Sequence, residues 1–204
     1  MEMKNKSSLG LIITAAGSSS RIGTGCKKEY VQMSPSGGTV LSAAAEAFLL
    51  SLEIETIIIT FKAGTGKSGE QSAKDAFFAD SKIKKIFEQQ NAPNLLFVEG
   101  GSTRQESVFN GLKALSNKPP KYVIIHDGAR PYVTKEIILE LYNGLQKYDA
   151  VTCGIQPVDT QKEINPNNTI ERHLRRSNLC AVQTPQAFNF SLLIEAHKKA
   201  NCNG

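Results

Sequence analysis

Residues 9–21, LGLIITAAGSSSR, pass from an unbroken apolar run into small residues and then into a cation. A short apolar run rich in isoleucine and bounded by glycine reads as a strand buried on both faces. The strand gives way to a loop with almost no side chains. Its backbone N–H groups lie open to a ligand, and Gly17 and Gly23 allow φ values that other residues resist. Arg21, Lys27 and Lys28 then supply positive charge. A strand that empties into a bare, cation-flanked loop suits close wrapping of a polyphosphate. The same residues would also make a tight strand–helix turn with cations on its surface.

The pattern repeats down the chain. ETIIITF (55–61), NLLFVEG (94–100) and KYVIIHD (121–127) read as further strands, and AVTCGIQP (150–157) as the last central one. Between them lie helical stretches: 39–51 with Thr39 as its cap, a polar region over 68–90, 102–115 with Thr103 and Glu106 at capping-box spacing, and 134–148 begun by Thr134. This alternation predicts an α/β fold, a Rossmann-like, mainly parallel sheet with helices on both faces. Ligands in such sheets sit at the carboxyl ends of the strands. That rule sets the glycine loop, EGGSTR (99–104) and HDGARP (126–131) along one rim. Residues 158–178 break the pattern. Short pieces flank the turn NPNN and predict a protruding β-hairpin, marginal alone and expected to pack on a second subunit. TPQAFNFSLLIEAHKKA (184–200) reads as a turn and a helix whose end Gly204 can cap.

The bulk numbers bound the rest. A chain of 204 residues and 22.2 kDa is expected to be one domain, residues 1–204. A net charge of +5 suggests an anionic partner. Trp is absent and no RNP-like aromatic cluster interleaves the basic residues, which argues against a nucleic-acid partner. Cys26, Cys153, Cys180 and Cys202 form no Cys-x-x-Cys motif, so reduced thiols in a cytoplasmic protein are expected. Lys4 and Lys6 before LGLIITAAG imitate a signal peptide, but the apolar run is short and no Ala-x-Ala pattern follows. No apolar run approaches the roughly 18 residues of a membrane span, so no membrane partner is expected.

Two tempting motifs fail. Glycines at 17, 23 and 25 do not fit G-x-G-x-x-G, and GTGKSG (64–69) lacks the first glycine of a P-loop, where Phe61 stands. Residues 62–70 are therefore expected to be a mobile connection. Gly101 and Ser107 stand at the start of a capped helix whose amides face the rim. Asp127 could hold a ribose hydroxyl, hold a metal-bound water, or merely cap its turn, and Arg130 follows it. His126 is assigned no role. His173 and His197 have no ligand-like partners nearby in sequence, so no zinc site is expected.

AAGSSSRIGTGCKKEY, GGSTRQESVFNGL, HDGARPYV, VDTQKE and TPQAF, in this order and spacing, resemble the cytidylyltransferase family of the non-mevalonate isoprenoid pathway. The resemblance runs over about residues 9–190. It implies transfer of CMP from CTP to 2-C-methyl-D-erythritol 4-phosphate with release of pyrophosphate. Related enzymes activate ribitol phosphate, and their versions of the HDGARP turn tend to be bulkier. A CTP-binding protein with little turnover is a further alternative.

By the same resemblance, Ala15, Ala16 and Gly17 hold the triphosphate, while Arg21 and Lys28 stabilise the transition state and Arg176 counts with them as catalytic. Gly101 and Ser107 contact cytosine and ribose. Asp127 and Arg130 line the junction of the two substrates, and Thr160, Arg176 and Thr184 hold the acceptor. Mg²⁺ is the implied cofactor, with no protein ligand assigned beyond a possible Asp127. The arm 158–178 exchanges with a second subunit in a homodimer. Thr14 stands where the family commonly has proline, and Lys27–Lys28–Glu29 replaces a more usual Pro-Lys-Gln. Members of the family continue past the position of Gly204 with an acidic turn, a strand and a helix carrying another substrate-positioning lysine. The expectation for these 204 residues is CTP binding with slow turnover.

Overall fold

The structure, a computed structural model, describes residues 8–17, 27–33 and 37–202, with backbone alone at 201 and 202. The cap expected from Gly204 lies outside them. In chain order the elements are β1 (Leu9–Thr14), α1 (Val40–Leu49), β2 (Thr56–Phe61), α2 (Gly66–Phe77), α3 (Ser81–Phe87), β3 (Asn94–Glu99), α4 (Arg104–Leu115) and β4 (Tyr122–Asp127). Then come α5 (Lys135–Gly144), β5 (Ala150–Ile155), β6 (Lys162–Ile164), β7 (Ile170–His173), β8 (Ala181–Asn189) and α6 (Phe190–Cys202).

One six-stranded sheet runs in the order β3-β2-β1-β4-β8-β5. The first four strands are mutually parallel, with Leu11 opposite Ile57 on one side and Ile124 on the other. β1, β2 and β4 are buried almost throughout, as continuous apolar runs require. Helices cover both faces. Phe48 of α1, Ala76 and Phe77 of α2, Ile83 of α3 and Ile138 and Leu141 of α5 pack on Leu11, Ile13, Ile57, Ile59 and Ile124. On the other face Val108, Leu112 and Leu115 of α4, with Phe190 of α6, pack on Ile12, Ile58, Val123 and Ile125. Burying a side chain of this size stabilises the fold by about 1.5–3 kcal/mol. The predicted caps are in place: Thr39 accepts from the Ser42 amide at 3.2 Å, Thr134 from Ile137 at 3.5 Å, and Thr103 and Glu106 form a full capping box.

Three details differ from the expectations drawn from sequence. Residues 181–189 form a strand, antiparallel to both neighbours and inserted between β4 and β5. β5 is consequently an edge strand with a half-exposed pattern. The segment is hard to recognise as a strand because it carries Pro185 and two glutamines instead of a β-branched run. Pro185 follows a cis peptide bond, beyond the last β4 pair at Gln186 and beside the register shift against β5, where the ladder makes no demand on its missing N–H. Secondly, the polar region after β2 is two helices, α2 and α3. Thirdly, the link expected over 62–70 is short: Gly64 at φ +74° and Gly66 at φ +50° turn the chain, and the Gly64 amide is tied to Glu99 Oε1 at 2.6 Å.

The hairpin forms where expected. Among the described residues β6 and β7 pair only with each other, closed by Asn165–Asn168, with Asn168 in the left-handed region at φ +59°. Val158, Ile164 and Ile170 are exposed on this arm.

Candidate active site

Because β1 to β4 are parallel, their carboxyl ends share one rim, and the loops that leave them enclose a cavity of about 690 Å³. Thr14, Ala16 and Gly17 come from the end of β1, Lys62 and Ala63 from β2, Gly101 to Arg104 and Ser107 from β3 and α4, and Asp127, Ala129 and Arg130 from β4. Lys28 and Glu29 complete the lining from a 3₁₀ turn over Lys28–Tyr30. This is the crevice beside the central strands of a doubly wound sheet, where the order reverses about β1.

The loops touch closely. A Cβ on Gly100 would collide with Ala16 Cβ, Ser107 Oγ and the Phe61 carbonyl, so the β1, β2 and β3 loops converge only around a glycine. The start of α4 is knitted to itself. Ser107 Oγ, buried, accepts from the Gly101 amide at 3.1 Å and donates to the Thr103 carbonyl at 2.9 Å. Glu106 Oε2 accepts from the Ser102 amide at 2.6 Å and the Ser102 hydroxyl at 2.7 Å. The Ser102 side-chain bond and the amides of Ser102 and Thr103 hold the Glu106 carboxyl below the usual range.

Asp127 gathers Arg104, Thr14 and Arg130 around its carboxylate. Arg104 donates to Oδ1 through Nε at 3.0 Å and pairs with it through Nη2 at 3.0 Å. Thr14 Oγ1 donates to the same oxygen at 3.2 Å, and Arg130 Nε reaches Oδ2 at 3.4 Å. Burial raises its pKa, but the Arg104 charge and the bonds from Arg104, Thr14 and Arg130 outweigh that and hold the carboxyl below its ordinary value. Its own amide donates to Thr184 Oγ1 at 3.2 Å. His126 points to the opposite face of β4. Burial, reinforced by the Arg130 and Arg104 charges, lowers its pKa against the opposing effects of the Arg130 carbonyl and Asp127.

Behind the β1 loop, Lys27 donates to the Ala15 carbonyl and lies 5.2 Å from the centre of the Tyr30 ring. Burial lowers its pKa, Glu29 opposes this, and Lys62 adds to it. Burial and Glu29 together push the Tyr30 hydroxyl up to about 12.

A second cavity of about 400 Å³ lies across the β4 turn and shares Ala129 and Arg130 with the first. His126, Tyr132, Cys153 and Thr184 are among its lining residues.

Of the residues singled out from sequence, Ala16, Gly17, Lys28, Gly101, Ser107, Asp127 and Arg130 line the first cavity, and Arg130 and Thr184 the second. Ala15 is buried behind the loop with its amide donating to Thr60 Oγ1 at 3.1 Å. Arg21 and Gly23 lie outside the described residues. Thr160 and Arg176 stand on the arm, in neither lining, and Arg176 donates to the Val158 carbonyl. Lys62 and Arg104 join the site without having been singled out from sequence. Lys62 directly follows a rim strand and Arg104 sits inside a quoted motif, so the carboxyl-end rule already points to both. Among the described residues no group of three or more His, Cys, Asp or Glu is placed to hold a metal ion.

Fold and rim together define a nucleotide-binding α/β protein of the Rossmann-like class, with a cavity suited to a polyanion. A sequence model of the IspD family, described as 2-C-methyl-D-erythritol 4-phosphate cytidylyltransferase, matches residues 9–204. The chain belongs to that family. The 2-C-methyl-D-erythritol 4-phosphate cytidylyltransferase of Bacillus cereus is 35% identical over 196 residues, covering 93% of this chain and 76% of its own length. The protein of the same name from Clostridium acetobutylicum is 35% identical over 193 residues, covering 95% and 77%. Among solved structures, the 4-diphosphocytidyl-2C-methyl-D-erythritol synthase of Anaerococcus prevotii matches with a TM-score of 0.74 and 29% identity over 97% of this chain and 76% of that one. The Thermus thermophilus 2-C-methyl-D-erythritol 4-phosphate cytidylyltransferase matches with a TM-score of 0.65 and 26% identity over 98% and 78%.

Proposed function

We propose that this protein transfers CMP from CTP to 2-C-methyl-D-erythritol 4-phosphate, releasing pyrophosphate, in the synthesis of isoprenoid precursors. The observation that carries this reading is the pair of cavities meeting at the Asp127–Arg130 turn, one walled by phosphate-suited loops and cations, the other by Thr184 and Arg130.

The chemistry needs no general base. A phosphate monoester has its second pKa near 6, so the acceptor is largely dianionic at neutral pH. One of its oxygens forms a bond to the α-phosphorus of CTP, and the bond from that phosphorus to the bridging oxygen of the β-phosphate breaks. Pyrophosphate leaves with the electron pair. The barrier is charge repulsion, so the protein acts by positioning and neutralisation. Ala16 and Gly17 offer backbone to the triphosphate, with Ala15 fixing the loop from behind. Lys28 and Arg21 meet the charge that develops on the five-coordinate phosphorus. Gly101 and the Ser107-braced start of α4 face cytosine and ribose, and Asp127 and Arg130 stand where the substrates join. Thr184 keeps its hydroxyl proton for the acceptor, because its oxygen accepts from the Asp127 amide.

A hydrated Mg²⁺ fits this donor set, since that ion takes one or two carboxylates and substrate phosphates instead of a protein cage. Asp127, held ionised, and Glu29 are the carboxylates in the lining. Bound there, the ion would offset triphosphate charge. In this reading the protein is a homodimer in which the arm 158–178 of one subunit brings Thr160 and Arg176 to the acceptor of the other. The reaction belongs in the cytoplasm, with nucleoside triphosphates at hand, and involves neither nucleic acid nor membrane. No helix among the described residues is long and apolar enough to cross a membrane.

The test is pyrophosphate release with CTP, ATP, GTP or UTP, each with methylerythritol phosphate or ribitol 5-phosphate. Release only with CTP and methylerythritol phosphate is expected. Preference for ribitol phosphate would move the assignment to that acceptor, and CTP binding without release would refute transferase activity.

A further inference from the structure

His126 is fully buried, yet the proposed reaction gives it no chemistry. It occupies the β4 position next to Ile13 of β1, and side-chain alternation sends it to the face of Tyr122 and Ile124, opposite Asp127. Its ring lies 4.9 Å from that of Phe48 at 57°. An apolar residue would fill this place more cheaply, because a buried imidazole needs a reason for its polar atoms.

The reason lies in the turn after β4. The chain doubles back at Gly128–Ala129 and carries the Arg130 carbonyl to the His126 ring, where Nε2 meets it at 2.9 Å. A carbonyl oxygen only accepts, so Nε2 carries the proton. Nδ1 is then the bare nitrogen, and it has no hydrogen-bond partner among the described residues. The bond joins two others: the Gly128 amide to the Thr14 carbonyl at 2.9 Å and the Arg130 amide to the Asp127 carbonyl at 3.0 Å. Gly128 fits here because a Cβ would come within 3.1 Å of Ile13 and Leu41 and 3.2 Å of the Thr14 carbonyl. Pro131 comes next and has no N–H with which to anchor the chain. The peptide after Arg130 therefore depends on the His126 ring, and Arg130 is the charged side chain common to both cavities.

We propose that His126 is a positioning residue: its buried Nε2–H grips the Arg130 carbonyl and so sets the Arg130 guanidinium between nucleotide and acceptor. The kinetic part of the proposal rests on the transferase reading; the structural part does not.

Both parts are tested on the full chain. In His126→Phe, amide hydrogen exchange at Arg130 should quicken by about tenfold or more, while Ile124 in the middle of β4 keeps its protection. Under pyrophosphate-release conditions, His126→Phe should lower kcat/KM for methylerythritol phosphate by about 10- to 100-fold, a misplacement effect. In an Arg130→Ala background the same change should cost less than about twofold, because the residue it acts through is gone. Should His126→Phe not fold, two polar variants make the same comparison: glutamine places an N–H donor at the ε position, and asparagine does not. His126→Gln should keep most of the activity and exchange protection that His126→Asn loses. Unchanged exchange at Arg130, equal losses in the two Arg130 backgrounds, or equal behaviour of the Gln and Asn variants would overturn the proposal. A wild-type protein that releases no pyrophosphate refutes the transferase reading instead, and the exchange measurement then decides the role of His126.

Discussion

Replacing Asp127 with asparagine keeps the shape of the side chain and an acceptor at Oδ1 while removing its charge. The structure sets the size of the effect. The Arg104 and Arg130 side chains are each 47% exposed, so solvent screens both pairs. Exposed ion pairs contribute about 0.2–1 kcal/mol. Arg104, with two nitrogens at 3.0 Å, belongs at the top of that range, and Arg130, at 3.4 Å, near the bottom. The new amide nitrogen takes the place of Oδ2 and meets the Arg130 Nε–H donor to donor, so that bond is lost. The expected loss at pH 7 is about 1–1.5 kcal/mol, which in a chain of this size lowers Tm by about 3–5 °C. The pH dependence is a second check. The folded carboxyl titrates below its ordinary value, so its contribution is complete above the unfolded pKa, near 4. That contribution is lost as pH falls through the folded pKa. The gap between wild type and Asp127→Asn should therefore be constant from pH 6 to 8 and narrow below about pH 4. Urea unfolding across that range is the assay. Equal stability at pH 7, or a gap that survives undiminished below the unfolded pKa, would refute the account of Asp127 as an ionised hub.

Lys28→Ala should lower kcat by about 10²-fold or more with the fold intact, as loss of one preorganised donor does. Lys27→Ala should do much less and act mainly on KM for CTP, because its ammonium is turned to the Ala15 carbonyl; equal effects in steady-state kinetics would show that the two lysines are misassigned. Thr103→Ala removes the cap of α4 and should cost about 1 kcal/mol, or about 2–4 °C in Tm, with Thr103→Ser retaining most of it; an unchanged melting curve would contradict the capping geometry. Sedimentation should show a dimer at micromolar concentration that Ile164→Arg or Ile170→Arg dissociates, since a two-stranded hairpin with exposed isoleucines needs a surface to cover it; a monomer whose arm still resists protease would count against this.

Much of the architecture is local and therefore legible in the sequence. LGLIITA, TIIITF and YVIIHD bury both faces, and short isoleucine-rich runs alternating with helical stretches are the mark of central parallel strands. Thr39, Thr103 and Thr134 cap their helices because capping is settled within four residues of chain. The rim is legible as well, since parallel strands must end together and the glycine loop, GGSTR and HDGAR each leave one of them. The family is readable from the same motifs in their order.

Other features needed the folded chain. AVQTPQAFN is a strand through its pairing with β4 on one side and β5 on the other, long-range contacts that override its weak propensity. Arg104 and Lys62 lie on the rim that the carboxyl-end rule points to, but their meeting in one cavity depends on the convergence of loops about forty residues apart, which spacing alone does not measure. The two adjacent lysines differ only by where the 3₁₀ turn points them, one to the Ala15 carbonyl and one to the cavity. His126 and Asp127 are neighbours in sequence and part company at the sheet, one into the core and one into the cavity. Strand alternation can be read in advance; that the Arg130 carbonyl returns to meet the buried ring cannot, because it depends on a turn closed by contacts with Thr14 on another strand.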